Sequence, residues 1–167
     1  MNSYWDTTSA AEDRFRNRFQ LAEGFVSRKN AVAVPGLDEL GGGVRFGELL
    51  ARVAEGDPEM RIRFQSPHPK DFGDDLLELI AATPNICNSL HMPAQHGSST
   101  VLDRMKRGYT REAYLGLVSR ARSIIGQGID NALGISTDMI SGFCGETEDE
   151  HQVLTTLIYE LRISLLY

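Results

Sequence analysis

A parallel α/β sheet is the fold class this sequence predicts, and three observations predict it. Short strand-like runs begin at Arg61, Ile86 and Leu133. Each is stopped by a turn rich in proline, glycine and polar side chains, and each turn leads into a segment with helical apolar spacing. The chain has 167 residues, the length of one domain. Hydrophobic residues make up 41% and charged residues 24%, a globular rather than a disordered composition. The net charge of -6 gives no electrostatic case for nucleic-acid binding. Cys87 and Cys144 are the only cysteines. Two thiols make neither a disulfide framework nor a self-contained Cys-rich metal site, and they suit a reducing compartment.

No run approaches the ~18 apolar residues that cross a bilayer. Met1 is followed by Asn2, Ser3, Tyr4, Trp5 and Asp6, with no apolar core of a secretory signal. Arg14, Arg16 and Arg18 with Phe15 and Phe19 have the look of an amphipathic transit segment, but Glu12, Asp13 and Glu23 oppose it, because such segments avoid acids.

The elements follow in order. Phe15, Phe19 and Ala22 line a short helix ended near Gly24. Ala31 to Val34 is a brief apolar run cut off by Pro35-Gly36, and Gly41 to Gly43 is a loop. Phe46, Leu49, Leu50 and Val53 fall at helical spacing, and Gly56-Asp57-Pro58 stops that helix. Arg61-Ile62-Arg63-Phe64-Gln65 alternates with period two and reads as a strand; Pro67 and Pro69 lack donors and end it. The next helix carries Leu76, Leu77, Leu79 and Ile80, with Asp74 and Asp75 at the positive end of its dipole, and Thr83-Pro84 ends it. A second strand spans 86–92 and is closed by Pro93. Val101, Leu102 and Met105 mark a helix ended by Gly108, and Thr110 caps another with Tyr114, Leu117, Val118, Ala121 and Ile125 on one face. The third strand spans 133–141. Thr147-Glu148-Asp149-Glu150 is a capping box for a helix with the stripe Leu154, Leu157, Ile158 and Leu161. Ile163 to Tyr167 starts another strand.

In parallel sheets, function gathers at the carboxyl ends of the strands. Here those ends hold His68, then His91 and His96, then Gly142 to Glu146. No His-x-x-His spacing occurs, so the histidines read as hydrogen-bonding residues of a polar mouth, with general acid–base work left open. Cys144 precedes a helix N-terminus, where thiol pKa values fall, but no partner base is in view. Gly142 and Gly145 permit close approach of a ligand to backbone, although strand–helix turns use glycine in any case. Glu146 is either a ligand contact or a dipole partner. Arg104, Lys106, Arg107 and Arg111 read as a solvated face, with phosphate-backbone contact as the sharper alternative.

At these ends the sequence resembles a family. Arg61-Ile62-Arg63-Phe64-Gln65-Ser66-Pro67-His68-Pro69 resembles the Arg-Phe-x-Ser-x-His-Pro strand of the radical S-adenosylmethionine methylthiotransferases that modify tRNA. Leu90 to Ser98 resembles that family's Leu-His-Leu-Pro-x-Gln-Ser-Gly-Ser, and Met105 to Glu112 its Met-x-Arg-x-Tyr-Thr-x-Glu. Ser136 to Thr147 resembles its Ser-Ser-Asp-Phe-Ile-x-Gly-Phe-Pro-Gly-Glu-Thr, and Asn2-Ser3-Tyr4 the end of its Gly-Gln-Asn-Val-Asn-Ser-Tyr. Cys144 and the form Ser66-Pro67-His68-Pro69 point to the branch named for a cyclin-dependent kinase 5 regulatory subunit-associated protein. The match is tight over 58–160 and loose over 5–45.

The resemblance implies an incomplete parallel (β/α) barrel of the radical S-adenosylmethionine type, with residues 58–167 supplying strands 3 to 6 in part and residues 1–57 a divergent segment. It implies transfer of a methylthio group to carbon 2 of an isopentenyl-type adenosine beside the anticodon. A 4Fe–4S cluster would reduce S-adenosylmethionine to a carbon radical, and a second would serve sulfur delivery. By position, Asp138, Gly142, Gly145 and Glu146 would bind S-adenosylmethionine, and Ser66, His68, Gln95 and Ser98 would line the same mouth. The departures are equally specific. The family's Cys-x-x-x-Cys-x-x-Cys motif is absent, Cys144 stands where proline is usual, and His96 where serine is usual. The expectation is a barrel segment inactive by itself. The alternatives are a non-catalytic interaction or regulatory protein, associating through an open barrel edge, and an unrelated barrel enzyme using His68 and His91 for proton transfer.

Overall fold

The computed structural model describes residues 5–6, 24–25, 44–65, 68–126, 132–161 and 165–166. The expected helix around Phe15 to Ala22, the run 31–34, the glycines 41–43 and Ser66 lie outside them. The elements are β1 (Trp5–Asp6), β2 (Val44–Arg45), α1 (Phe46–Gly56), a 3-10 turn (Pro69–Asp71), α2 (Asp74–Ala82), β3 (Ser89–His91), α3 (Ser99–Arg104), α4 (Arg111–Ile125), β4 (Gly134–Thr137), α5 (Glu148–Leu161) and β5 (Leu165–Leu166).

Strands β3, β4 and β5 form a parallel sheet in sequential order, with His91 opposite Ser136 and Thr137 opposite Leu166. A parallel bridge from Ile62 to Ile86 extends the same order one strand further. Sequential parallel strands joined through helices are the wall of a (β/α) barrel, whereas a doubly wound sheet reverses its order midway. A two-residue antiparallel ribbon, β1 with β2, was not expected.

The strands are shorter than the alternation suggests. In 61–65 only Ile62 pairs, donating to the Asn85 carbonyl at 2.8 Å and accepting from Cys87 N–H at 2.9 Å. The run 86–92 keeps regular pairing only over β3, because Pro93 has no N–H to offer. The Thr137 hydroxyl takes over there, accepting from Ala94 N–H at 2.8 Å and donating to the Met92 carbonyl at 2.9 Å.

The helices follow the sequence more closely. Thr110 caps α4 by accepting from Ala113 N–H. Thr147 and Glu150 close their box reciprocally, at 3.0 and 3.3 Å. Helix α1 departs in its face. Val53 is 40% exposed, while Leu50, Ala51, Ala54 and even Glu48 are buried. Small alanines permit close packing of α1, and Arg52 meets the buried Glu48 carboxylate at 2.6 Å. Leu50 and Ala54 join Leu77, Ile80, Leu90, Ile135 and Leu157 in one core. Among the described residues, no helix is long and apolar enough to cross a membrane.

Candidate functional site at the strand ends

The ends of β3 and β4 meet beyond their last regular pairs. Gln95 N–H donates to the Asp138 carbonyl at 2.9 Å, and the Gln95 carbonyl accepts from Ile140 N–H at 2.7 Å. Gln95 holds this place at φ 70°, a left-handed conformation that costs a non-glycine residue roughly 1 kcal/mol or more. Its side-chain amide makes no hydrogen bond among the described residues. Beside it, the His91 ring spans from Ser136 Oγ (2.9 Å) to Asp138 Oδ2 (3.3 Å). Asp138 is thereby held at the rim with its side chain 43% exposed.

The turn after β4 is built around glycine. Gly142 and Gly145 both have φ 77°, and a Cβ on either would meet nothing within 4 Å. The open side of this turn is therefore backbone that a ligand can approach. Its other side is tied down by Glu146, whose side chain is 5% exposed. Oε2 accepts from Phe143 N–H at 2.8 Å, and Oε1 lies 3.1 Å from His151 Nδ1 and 3.3 Å from His96 Nε2. His96 Nδ1 accepts from Ser98 N–H at 2.9 Å, which assigns the ring proton to Nε2, aimed at Glu146. That last approach is an electrostatic contact and not an aligned hydrogen bond. Burial pushes the Glu146 carboxyl up, but the Phe143 N–H and the two histidines outweigh it and hold it below the usual range.

A second tie comes from α3. Arg104 grips Glu150 with both terminal nitrogens, at 2.9 and 2.8 Å, and donates to the Gly145 carbonyl at 3.2 Å. Arg104, the Thr100 hydroxyl and Thr147 N–H together hold the Glu150 carboxyl far below its ordinary value. The glycine turn, α3 and the start of α5 are thus one connected unit.

The remaining predicted residues divide. Ser98 is buried at the N-cap of α3, its hydroxyl engaged with Thr100 at 2.8 Å. His68 caps the 3-10 turn, accepting from Lys70 N–H at Nδ1 (3.2 Å), and stands edge-on to Tyr109. Tyr109 in turn donates to the Ala94 carbonyl at 2.9 Å, which links the first strand end to the second. No hydrogen bond joins His68 to His91 among the described residues.

Three features escaped the sequence reading. His151 sits one turn into α5, five residues past Glu146, a spacing no short motif marks. Arg104 reaches the glycine turn across 41 residues. Cys87, in the apolar run 86–92, is met by Arg63 and Arg61; burial raises its thiol pKa, but the two guanidiniums outweigh it and lower it. The period-two alternation of 61–65 was the available signal, since it puts both arginines on one face.

Burial, with Lys70 and Arg107 adding, pushes the His68 pKa from 6.5 down to about 4. Between those values the unfolded chain binds more protons than the folded one, so stability is expected to fall as pH drops through this window and to level off below it. Glu146 and Glu150, held low by folding, add their own loss only near and below the ordinary glutamate value of 4.5. His68→Gln should therefore flatten the pH dependence of the urea midpoint between pH ~6.5 and ~5. An unchanged slope would assign the effect to another group.

The model of the radical SAM superfamily matches residues 37–157. The chain belongs to the radical SAM superfamily. Members of the superfamily work with S-adenosylmethionine and a 4Fe–4S cluster. The chain is 47% identical over its whole length to a CDK5RAP1-like protein of Oryza sativa subsp. japonica, covering 26% of that protein. It is 54% identical over 72% of its length to the mitochondrial tRNA methylthiotransferase CDK5RAP1 of Mus musculus, covering 20% of it. This radical SAM chain thus spans about a quarter or less of the curated relatives it matches. Among solved structures, the radical S-adenosylmethionine methyltransferase TsrM of Kitasatospora setae superposes with a TM-score of 0.52 over 71% of this chain and 22% of that one, at 19% identity. That likeness concerns the fold alone.

The residues present do not fit the cluster. Cys87 lies at the amino end of the sheet and is buried, while Cys144 lies past the carboxyl end of β4 and is exposed. Two thiols at opposite ends of parallel strands cannot converge on one cluster. Among the described residues, no three His, Cys, Asp or Glu side chains are placed to hold a metal ion. S-adenosylmethionine is a different matter. An exposed carboxylate, an unengaged carboxamide and open glycine backbone are donors and acceptors suited to a nucleoside.

Proposed function

We propose that this chain is the later part of the radical barrel of a tRNA methylthiotransferase, acting on carbon 2 of an isopentenyl-type adenosine beside the anticodon. In this reading residues 58–167 supply strands 3 to 6 in part, residues 1–57 are a divergent segment, and the protein works in the cytoplasm or the mitochondrion. The observation that carries it is the meeting of the β3 and β4 ends, where strained Gln95 is bonded to the backbone of Asp138 beside an open glycine turn.

Bound S-adenosylmethionine supplies the carbon radical once reduced; this chain supplies placement. Asp138 accepts hydrogen bonds from the ribose hydroxyls, and His91 fixes the carboxylate that does so. Gln95 offers both a donor and an acceptor. Gly142 and Gly145 let the nucleoside lie against backbone. Glu146 and Ser98, whose polar atoms are engaged within the protein, position the turn and the loop before α3. His68 belongs to the first strand end of the same mouth, and Ser66, outside the described residues, is assigned there by the resemblance alone.

Titration of the purified chain with S-adenosylmethionine tests this. Asp138→Asn should weaken binding about tenfold or more, the loss expected when a charged acceptor is replaced, with an unchanged melting temperature. Equal affinity in the variant, or no binding by the chain, would overturn the assignment. A second reading, a non-catalytic interaction protein on the same fold, is favoured by the two separated cysteines. Under either reading, anaerobic treatment with iron and sulfide should leave the chain without stoichiometric cluster absorbance.

A further inference from the structure

The turn that ends α3 carries cations in an arrangement that packing alone does not explain. Arg107 N–H bonds to the Leu102 carbonyl and Lys106 N–H to the Asp103 carbonyl, both at 2.9 Å. This is the six-to-one and five-to-two pair that closes a helix through a left-handed residue. That residue is Lys106, at φ 59°, a place where glycine is free of strain and lysine is not. The side chain at this position therefore works against the stability of its own turn.

The charges here are also unspent. The other cations with described side chains each face a carboxylate, a carbonyl or a thiol. In a chain with 23 acids and 17 lysines and arginines, such pairing is easy. The side chains of Lys106, which is exposed, and Arg107, which is half-buried, have no hydrogen-bond or ion-pair partner among the described residues. Their turn lies at the mouth. Tyr109, two residues on, stands edge-on to His68 and donates to the Ala94 carbonyl next to Gln95, and Arg107 is close enough to both His68 and Tyr109 to act on their charge. Lys70, which also acts on the charge of His68, is neutralised by Asp71.

We propose that Lys106 and Arg107 form a phosphate-contacting edge that holds the sugar–phosphate backbone of RNA beside the strand-end site. The inference rests on the tRNA reading above and adds to it the residues that grip the strand. A lysine and an arginine with no internal partner are point-charge and forked donors for phosphate oxygens. The acidic remainder of the chain keeps RNA off the other faces.

The test is RNA affinity of the whole chain for a synthetic anticodon stem–loop, measured against salt. Each phosphate contact contributes about 0.9 to the slope of log K on log salt. Lys106→Gly and Arg107→Gln should each lower the slope by about one and weaken binding about fivefold to tenfold at ~0.1 M salt. Lys106→Gly should at the same time raise the melting temperature, because it removes a left-handed lysine, so a weaker complex from a more stable protein excludes misfolding as the cause. Inorganic phosphate at matched ionic strength should not displace the RNA; displacement would mark a small-anion site and overturn the assignment. RNA binding with unchanged slopes in both variants would overturn the edge and leave the tRNA reading standing. No RNA binding by the unaltered chain would overturn both.

Discussion

Gly97→Ala is expected to destabilise the protein by about 3 kcal/mol or more, the upper range for forcing atoms into a packed interior. A Cβ at residue 97 would lie 2.6 Å from the Val153 carbonyl oxygen, 2.6 Å from Leu154 Cα and 2.9 Å from Leu154 N. All three are backbone atoms of α5, so no side chain can turn aside; the helix itself must retreat. It would carry with it the Val153 carbonyl that accepts from Arg111 at 2.8 Å and the Leu154 and Leu157 side chains that face the interior. Gly142→Ala and Gly145→Ala make the contrast. Their φ is positive but their surroundings are open, so each should lose only about 1 kcal/mol of backbone strain. Urea midpoints of the three variants decide the matter; a Gly97→Ala loss no greater than the other two would mean that α5 does not sit against the loop as described.

The second large effect is expected at Thr137, which is fully buried. Its hydroxyl is the acceptor that Ala94 N–H finds where Pro93 has interrupted the ladder. Valine keeps the volume and removes the oxygen, leaving that N–H buried without a partner, a loss of about 2–3 kcal/mol. The Met92 carbonyl is not orphaned in the same way, because Tyr114 still donates to it at 2.7 Å. Thr137→Ser keeps the oxygen and drops one methyl, about 1 kcal/mol. Valine should therefore be worse than serine. The opposite order in equilibrium unfolding would assign the site to packing and not to the hydrogen bond.

Much of this architecture was legible in the residues, and the parts that were not share a cause. Helices α2, α4 and α5 follow from their apolar stripes, and α4 and α5 also from their caps, because capping and helical spacing are local properties of the chain. The parallel sheet follows from repetition of strand, turn and helix, whereas its sequential order does not follow from that repetition. Strand length was overread at 61–65 and 86–92, since alternation records which face is buried and not how many ladder bonds a neighbour can supply. The α1 face was misplaced at Val53 because a hydrophobic ranking ignores the closeness that Ala51 and Ala54 allow. At the mouth, the motifs named Gln95, Asp138 and Glu146, but not what each one touches. Whether Glu146 faces a ligand or its own turn depends on His96 and His151, which arrive from other elements. Such convergence has no signature in a linear pattern.

The bonded scaffold behind Gly142 and Gly145 has a kinetic consequence. Glu146 and Arg104 fix that segment in the folded chain, so a nucleoside bound as proposed would meet a surface already shaped to receive it. Under that proposal, association there would be set by diffusional encounter, without a slow ordering phase, and the lifetime of the complex by the contacts made on arrival.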